Sequence, residues 1–272
     1  GTGTLTLQAA GNIVINADIT RTSTGGLILR SGSGSVSGSG KLNLSGGTTL
    51  ELSHGSTVSN DIVVGSGGAT IKIFQQLDLQ VLIVAGGGAG GGRAWAGGGG
   101  GGGVIYGNTA LSSGTTAITV GSGGSGEINS TGLGNNGANS QFGTVTALGG
   151  GGGSGYGWGN DSVAASGAAG GSGGGAGEDN IAGQMQGGSA STQTVPSGWT
   201  AYGNSGGTGS NSAGVQAGSG GGGAGSAGGG TSVYRSPGNG GNGIAFDISG
   251  SSRTYGGGGG GATCSSCGTQ GS

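Results

Sequence analysis

Charge is scarce in this 272-residue chain: 6% of residues are Asp, Glu, Lys or Arg, and the net charge is −2. Its Lys and Arg form no cluster, which excludes the basic footprint of a nucleic-acid binder and argues against an acidic lipid surface. The same scarcity gives copies of the chain little mutual repulsion. Proline is almost absent, with 2 residues, and no strict Gly-X-Y period runs through the chain, so it is not collagen. The longest apolar run, Val81-Leu82-Ile83-Val84-Ala85, is far too short to cross a bilayer, so no membrane span is expected. Catalytic groups are sparse too. The single histidine, His54, sits in a Ser-His-Gly-Ser turn with no partner constellation and reads as solvated, so no enzyme is expected. Glu178-Asp179-Asn180 is the one local cluster of oxygen ligands, short of the six or so spaced oxygens that calcium takes. No metal and no cofactor are expected. Glycine is common enough for chance G-x-G-x-x-G matches, and Lys41 lacks the following Ser or Thr of a P-loop.

What the chain has is glycine, 84 residues of it. The stretch Val81–Gly107 organises the rest: an apolar run enters, Val104-Ile105-Tyr106 leaves, and glycine fills 86–92 (interrupted by Ala89) and 97–103. Glycine has no side chain to bury and loses the most backbone freedom on ordering. Such blocks are either flexible linkers or places where backbones must touch. Polyglycine forms a three-residue-per-turn helix of the polyproline II type with no internal hydrogen bonds. Its outward N–H and C=O groups then need neighbours. Because 30% of residues are hydrophobic and charge is low, the usual signature of disorder is only half met. A packed bundle of such helices is the expectation, with Gly100→Val and Gly222→Val disrupting it.

Residues 1 to 79 read differently. Apolar residues alternate in pairs, Leu5/Leu7, Leu27/Leu29, Leu50/Leu52 and Ile71/Ile73, and the pairs recur about every 22 residues. Short alternating runs bounded by Gly, Ser and Asn are half-buried strands. Two further columns run Ile15, Val36, Val58 and Ile19, Leu42, Val64. Three strand columns at one period predict coils of a short parallel β-helix. The expected fold is therefore all-β with polyproline II character and essentially no α-helix: solenoid coils over 1–79, then a glycine-rich polyglycine II domain over 80–272 with display loops and a few strands. Among those strands, Thr115–Val120 and Ile244–Ile248 alternate.

Gly1 falls in mid-pattern, so the chain is expected to be a processed product or a piece of something longer. The first 75 or so residues, with GTLTLQAAGNIVINADI, resemble the β-helical repeats of filamentous-haemagglutinin-type bacterial surface proteins. That resemblance implies an extracellular rod. A second one covers Leu79 to Ala262. VLIVAGGG, GGGGGVIYG, TAITVGSGG, NGANSQFGTVTALGGGGG and GNGIAFDISGSSRTYGGGGGG, in that order, resemble the glycine-rich domain of phage tail-fibre and tip adhesins and of large bacterial surface proteins. It implies layered polyglycine II helices with loops displayed at one end.

Tyr156 and Trp158 share one loop, and Trp199 and Tyr202 another. Loop Tyr and Trp are common binding anchors. They also serve as caps that exclude water where few large side chains exist. Cys264 and Cys267 form a lone C-x-x-C that most simply closes a small disulfide, with free thiols or an intermolecular bridge as alternatives. The expected function is a non-enzymatic, extracellular or cell-surface structural protein. It would self-associate head to tail as a subunit of a fibre or surface layer with an adhesive role. The alternative is a receptor-binding tip adhesin, on a virion tail fibre or a bacterial surface, whose partner is a cell-surface glycan or protein.

Overall fold

A computed structural model describes residues 2–31, 34–53, 58–73, 77–92, 94–126, 132–155, 166–178, 186–209, 215–263. The described residues are strands, turns and extended segments, with no helix among them. The fold is all-β. The chain divides into two compact units. The first takes 1–81, 106–120 and 141–145; the second takes 82–105, 121–140 and 146–272.

In the first unit the strands are β1 (Leu5–Ala9), β2 (Ile13–Val14), β3 (Ile19–Arg21), β4 (Gly26–Ser31), β5 (Val36–Ser37), β6 (Leu42–Leu44), β7 (Thr48–Ser53), β8 (Ile62–Val64) and β9 (Ala69–Ile73). The first two passes of the chain each add one strand to each of three parallel ladders, and the third adds β7, a single bridge at Val58 and β8. The longest ladder runs β1-β4-β7-β9, with Leu5 beside Leu27, Leu27 beside Leu50, and Leu50 beside Ile71. This is the column that the 22-residue spacing predicts. Alternate residues point inward, and Leu27, Leu29 and Leu50 are wholly buried with Ile71 and Ile73.

The other two ladders are parallel as well: Val36 beside Val58 and Ile19 beside Leu42 follow the sequence columns, and the remaining step of each column is offset by two residues. Val36 pairs with Ile13 rather than Ile15, and Leu42 pairs with Ile62 while Leu44 takes Val64. A shift of two keeps every side chain on the same face, so alternation alone cannot distinguish these registers. A buried Asn60 braces the corner. Its Nδ2 donates to the carbonyls of Gly40 at 2.8 Å, Ile15 at 3.2 Å and Gly38 at 3.3 Å, so one amide ties three points of the earlier coils.

The chain later contributes β10 (Leu77–Val84), β11 (Val104–Leu111) and β12 (Gly114–Thr119). β12 lies antiparallel on β9, from Gly114 beside Ile73 to Ile118 beside Ala69. The outer edge of the long ladder is thereby paired, which is one of the ways natural sheets protect an edge. The remaining strands are short: β13 (Ser140–Phe142), β14 (Val145–Ala147), β15 (Thr200–Tyr202), β16 (Ile244–Phe246) and β17 (Arg253–Tyr255). β16 and β17 pair antiparallel, Ile244 beside Tyr255.

Candidate functional site

The second unit is held by backbone, and its glycine runs are the candidate functional element. The run 97–103 shows the geometry. The N–H groups of Gly97, Gly100 and Gly103 each donate across 2.8 Å, to the carbonyls of Ser154, Gly151 and Leu148. Those of Gly98 and Gly101 donate to Ser219 and Gly222 at 2.9 and 2.8 Å. The carbonyls use other directions. Gly97, Gly100 and Gly103 accept from Gly91, Gly88 and Ala85, while Gly98 and Gly101 accept from Gly175 and Ser172. Gly99 accepts from Gly259.

Partners thus recur at every third residue, so the run turns once in three residues, the period of a polyglycine II helix. No glycine of 97–103 or 218–223 has positive φ, which gives the left-handed sense. The run 218–224 uses all three amide rows. Gly218, Gly221 and Ala224 donate to Ala262, Gly259 and Gly256; Ser219 and Gly222 donate to Ala176 and Gly173; Gly220 and Gly223 donate to Gly229 and Ser226. A neutral, low-charge backbone lattice results, with donors and acceptors pointing sideways in alternation.

Close approach explains the glycine. A Cβ on Gly97 or Gly100 would lie 2.0 or 2.3 Å from the carbonyl oxygens of Gly175 or Ser172. On Gly98 or Gly101 it would meet Gly259 or Gly256 at 2.1 or 2.4 Å, and on Gly99 or Gly102 it would meet Gly88 or Ala85 at 2.1 or 2.0 Å. In this rod a Cβ on any of the three rows would run into neighbouring backbone. Gly222 is equally confined, with Asn204 O at 2.0 Å.

Where the lattice runs out of neighbouring backbone, amide side chains stand in. Asn136 and Asn139, one turn apart, accept through Oδ1 from the N–H groups of Gly152 (2.8 Å) and Gly149 (2.9 Å). Asn204 Nδ2 donates to Gly223 O at 2.8 Å. The buried Gln193 accepts from Leu148 N–H at 3.0 Å and donates to Tyr202 O at 3.2 Å. Sequence reading did not single these residues out; the three-residue spacing of Asn136 and Asn139 beside a glycine run is the signal that was there.

Of the loop aromatics, Trp199 and Tyr202 are half-buried. Tyr202 lies in β15 and meets Phe246 of β16 edge to face, with ring centres 5.7 Å apart and planes at 71°. Trp199 closes a turn, its N–H donating to Pro196 O at 3.1 Å. Tyr156, Trp158, Cys264 and Cys267 lie outside the described residues, as do His54, Asp179 and Asn180. A surface cluster absent from the sequence reading lies at Gln216, Tyr234 and Arg235. Gln216 Oε1 accepts from Tyr234 Oη and Arg235 Nε, each at 3.0 Å, and the guanidinium sits 4.7 Å from the Tyr234 ring centre. Gln216 and Arg235 both hold positive φ, 55° and 56°, a conformation unusual outside glycine. Val233 and Tyr234 are exposed beside them. Among the described residues no three His, Cys, Asp or Glu gather closely enough to hold a metal ion, and no helix is long and apolar enough to cross a membrane.

Comparison with known families agrees with the rods. The glycine-rich domain matches residues 64–272. The chain belongs to this glycine-rich domain family. No curated protein matches it. The family match begins at Val64, inside β8, and takes in β9, so it overlaps the parallel ladders as well as the lattice.

Proposed function

We propose that this glycine-rich chain is a non-enzymatic structural module of an extracellular fibre or surface layer, built to associate with copies of itself and to display adhesive loops. The observation that carries the reading is the three-way backbone lattice. It holds rods in fixed positions with almost no titratable side chains, which suits scaffolding and offers little to acid–base or nucleophilic chemistry. Head-to-tail association has its own support in the first unit. Among the described residues β1 pairs on one side only, with β4, and Leu5 is 38% exposed. Residues 1–17 carry no charge and no proline, the usual blocks against edge pairing. A strand edge docking onto a different surface of a second copy gives an open polymer unless the rotation closes a ring.

The second reading, a receptor-binding tip adhesin of a phage tail fibre or a bacterial surface protein, is favoured by the Tyr234–Arg235–Gln216 cluster. An exposed aromatic stacked under a guanidinium on a strained loop is the kind of anchor that recognises a glycan or protein surface. Negative-stain microscopy and sedimentation near neutral pH separate the two. The fibre reading expects uniform polymers that fall apart when Thr6→Lys places a charge in β1. Stable single particles of the unaltered chain, binding cells through Tyr234, reject it in favour of the adhesin. Polymers that survive Thr6→Lys reject β1 as the contact.

A further inference from the structure

The run 97–103 has five hydrogen-bonded neighbouring segments: 85–91, 148–154, 172–175, 219–222 and 256–259. Successive neighbours also bond one another, Gly150 to Gly86, Gly151 to Ser172, Ser219 to Ala176 and Gly221 to Gly259. Among the described residues that ring is broken once, between 256–262 and 85–91, where no backbone hydrogen bond joins them. A three-fold rod has six lateral directions, three of N–H and three of C=O, so one place around this rod has no occupant among the described residues. A groove of about 360 Å³ lies at the break, lined entirely by Gly and Ala of 87–91, 96–100 and 257–262.

Several backbone groups that line it have no partner among the described residues. Gly99 N–H belongs to the one amide row of the central rod without a partner among the described residues, although Gly99 is buried. On one wall the carbonyls of Gly88 and Gly91, and on the other those of Gly257 and Gly260, also lack partners among the described residues. The wall positions turned toward the groove are glycine without needing to be. A Cβ on Gly87 or Gly90 would lie 3.6 or 3.7 Å from the nearest atom, and on Gly259 3.4 Å, which is ordinary contact. Glycine there costs chain entropy and relieves no clash within the molecule. It keeps the groove clear.

We infer that this groove receives an extended, three-fold segment of a partner polypeptide with glycine at every third position. The donor pattern defines the occupant. It must offer carbonyls to the Gly99 row and two rows of N–H to the two walls, as a sixth rod would. The row facing the central rod must be glycine, because a Cβ between close-packed rods lacks room: on each of Gly97 to Gly102 it would meet a neighbouring carbonyl oxygen at 2.0–2.4 Å. The other two rows face solvent and take any side chain, but a residue that must donate to a wall cannot be proline. The exposed rod 256–262 of a second copy does not supply this pattern. Among the described residues its one amide row without a partner is Gly257 and Gly260, and two rows are required. The inference is independent of head-to-tail polymerisation, since β1 is in the other unit.

The test uses the full chain and labelled synthetic peptides, with fluorescence anisotropy for binding and amide exchange at Gly99 as the local readout. Gly-Ser-Asn repeats should bind saturably and slow exchange at Gly99. Ala-Ser-Asn repeats, which put a Cβ against the rod, and Gly-Pro-Asn repeats, which are better preorganised but lack one row of donors, should bind at least about tenfold more weakly. Gly90→Leu should leave the melting temperature in place and abolish peptide binding. Absence of saturable binding, equal binding of the Ala peptide, or binding indifferent to Gly90→Leu overturns the proposal. So does binding that appears only when residues 264–272 are removed, which would make the chain's own tail the occupant. Self-association abolished by Gly90→Leu and unaffected by Thr6→Lys would make it a second copy instead.

Discussion

Gly100→Ala adds a single methyl group, and the lattice should lose about as much from it as an apolar core loses from a Leu→Ala cavity. The added Cβ would sit 2.3 Å from Ser172 O and 2.7 Å from Gly173 O. Ordinary contact begins near 3.4 Å, so the rods must part by about 1 Å at this point. The bonds that hold them together there are Gly175 N–H to Gly98 O at 2.7 Å and Ser172 N–H to Gly101 O at 3.2 Å. Losing or stretching both costs about 1 kcal/mol each, and the groups left buried cost more. Overpacking adds roughly 1–3 kcal/mol. The sum, about 3–5 kcal/mol, is a large share of the stability of a typical domain, roughly 5–15 kcal/mol. Gly90→Ala is the matched control. It adds the same methyl group at an exposed position of a neighbouring rod whose nearest atom is 3.7 Å away, at a φ that is not positive. There the reduced freedom of the unfolded chain should stabilise by about 0.4–1 kcal/mol. Urea unfolding followed by amide exchange of the lattice glycines reads both. If Gly100→Ala and Gly90→Ala unfold within experimental error of one another, the enclosed-rod argument fails.

Two further outcomes follow from other parts of the chain. Leu50→Asp places a carboxyl at a wholly buried position of the central ladder, with Leu27 and Ile71 beside it, and should cost about 4 kcal/mol or more; native-like far-UV circular dichroism and melting would contradict the stacked ladders. Asn139→Ala removes the acceptor of the buried Gly149 N–H and should cost about 1–3 kcal/mol, while Asn139→Asp, which keeps an oxygen there, should recover most of it; equal amide exchange at Gly149 in both variants would show that the side chain is not the cap.

How much of this could be read from the sequence depends on which physical constraint each element obeys. The long ladder was readable because Leu5, Leu27, Leu50 and Ile71 repeat a buried pair at a near-constant spacing. The two shorter ladders were readable as strands and, in one step each, in register, with Val36 beside Val58 and Ile19 beside Leu42; the other steps were not, because Val36 against Ile13 and Val36 against Ile15 bury the same face. β12 was recognisable as a strand from its alternation. Its antiparallel place on β9 left no local mark, since the chain leaves the ladder and crosses two glycine runs before returning. The rods announce themselves by composition, yet composition does not separate Gly100 from Gly90. A side chain on one would run into a neighbouring rod and on the other would enter open space, and only the neighbours decide which. The irregular spacing of the glycine runs hides those neighbours, whereas a regular repeat would have exposed them. The amide caps at Asn136, Asn139, Asn204 and Gln193 were passed over because Asn and Gln in glycine-rich sequence look like ordinary loop residues.

The two units also rest on different forces, and this should show in the heat capacity of unfolding. The first buries leucine, isoleucine and valine on stacked strands. The second buries peptide groups: of the residues in its central rods, Gly97–Gly103 and 218–224, only Ala224 and Ser219 have any side chain. Exposing apolar surface raises heat capacity by about 0.45 cal/mol/K per Å², whereas exposing polar surface lowers it by about 0.26. A chain of 272 residues with ordinary composition would show roughly 3.3–4.1 kcal/mol/K, at about 12–15 cal/mol/K per residue. Here most of the second unit adds a small or negative contribution, so the measured value should fall well below that range. Its stability curve should accordingly be flat, with less loss on cooling than an apolar core suffers. Differential scanning calorimetry of the full chain, under conditions that keep it dispersed, measures this directly. A heat-capacity change at or above the ordinary range would mean that unfolding exposes far more apolar surface than the lattice contains, and the account of the glycine rods as a backbone-bonded solid would have to be given up.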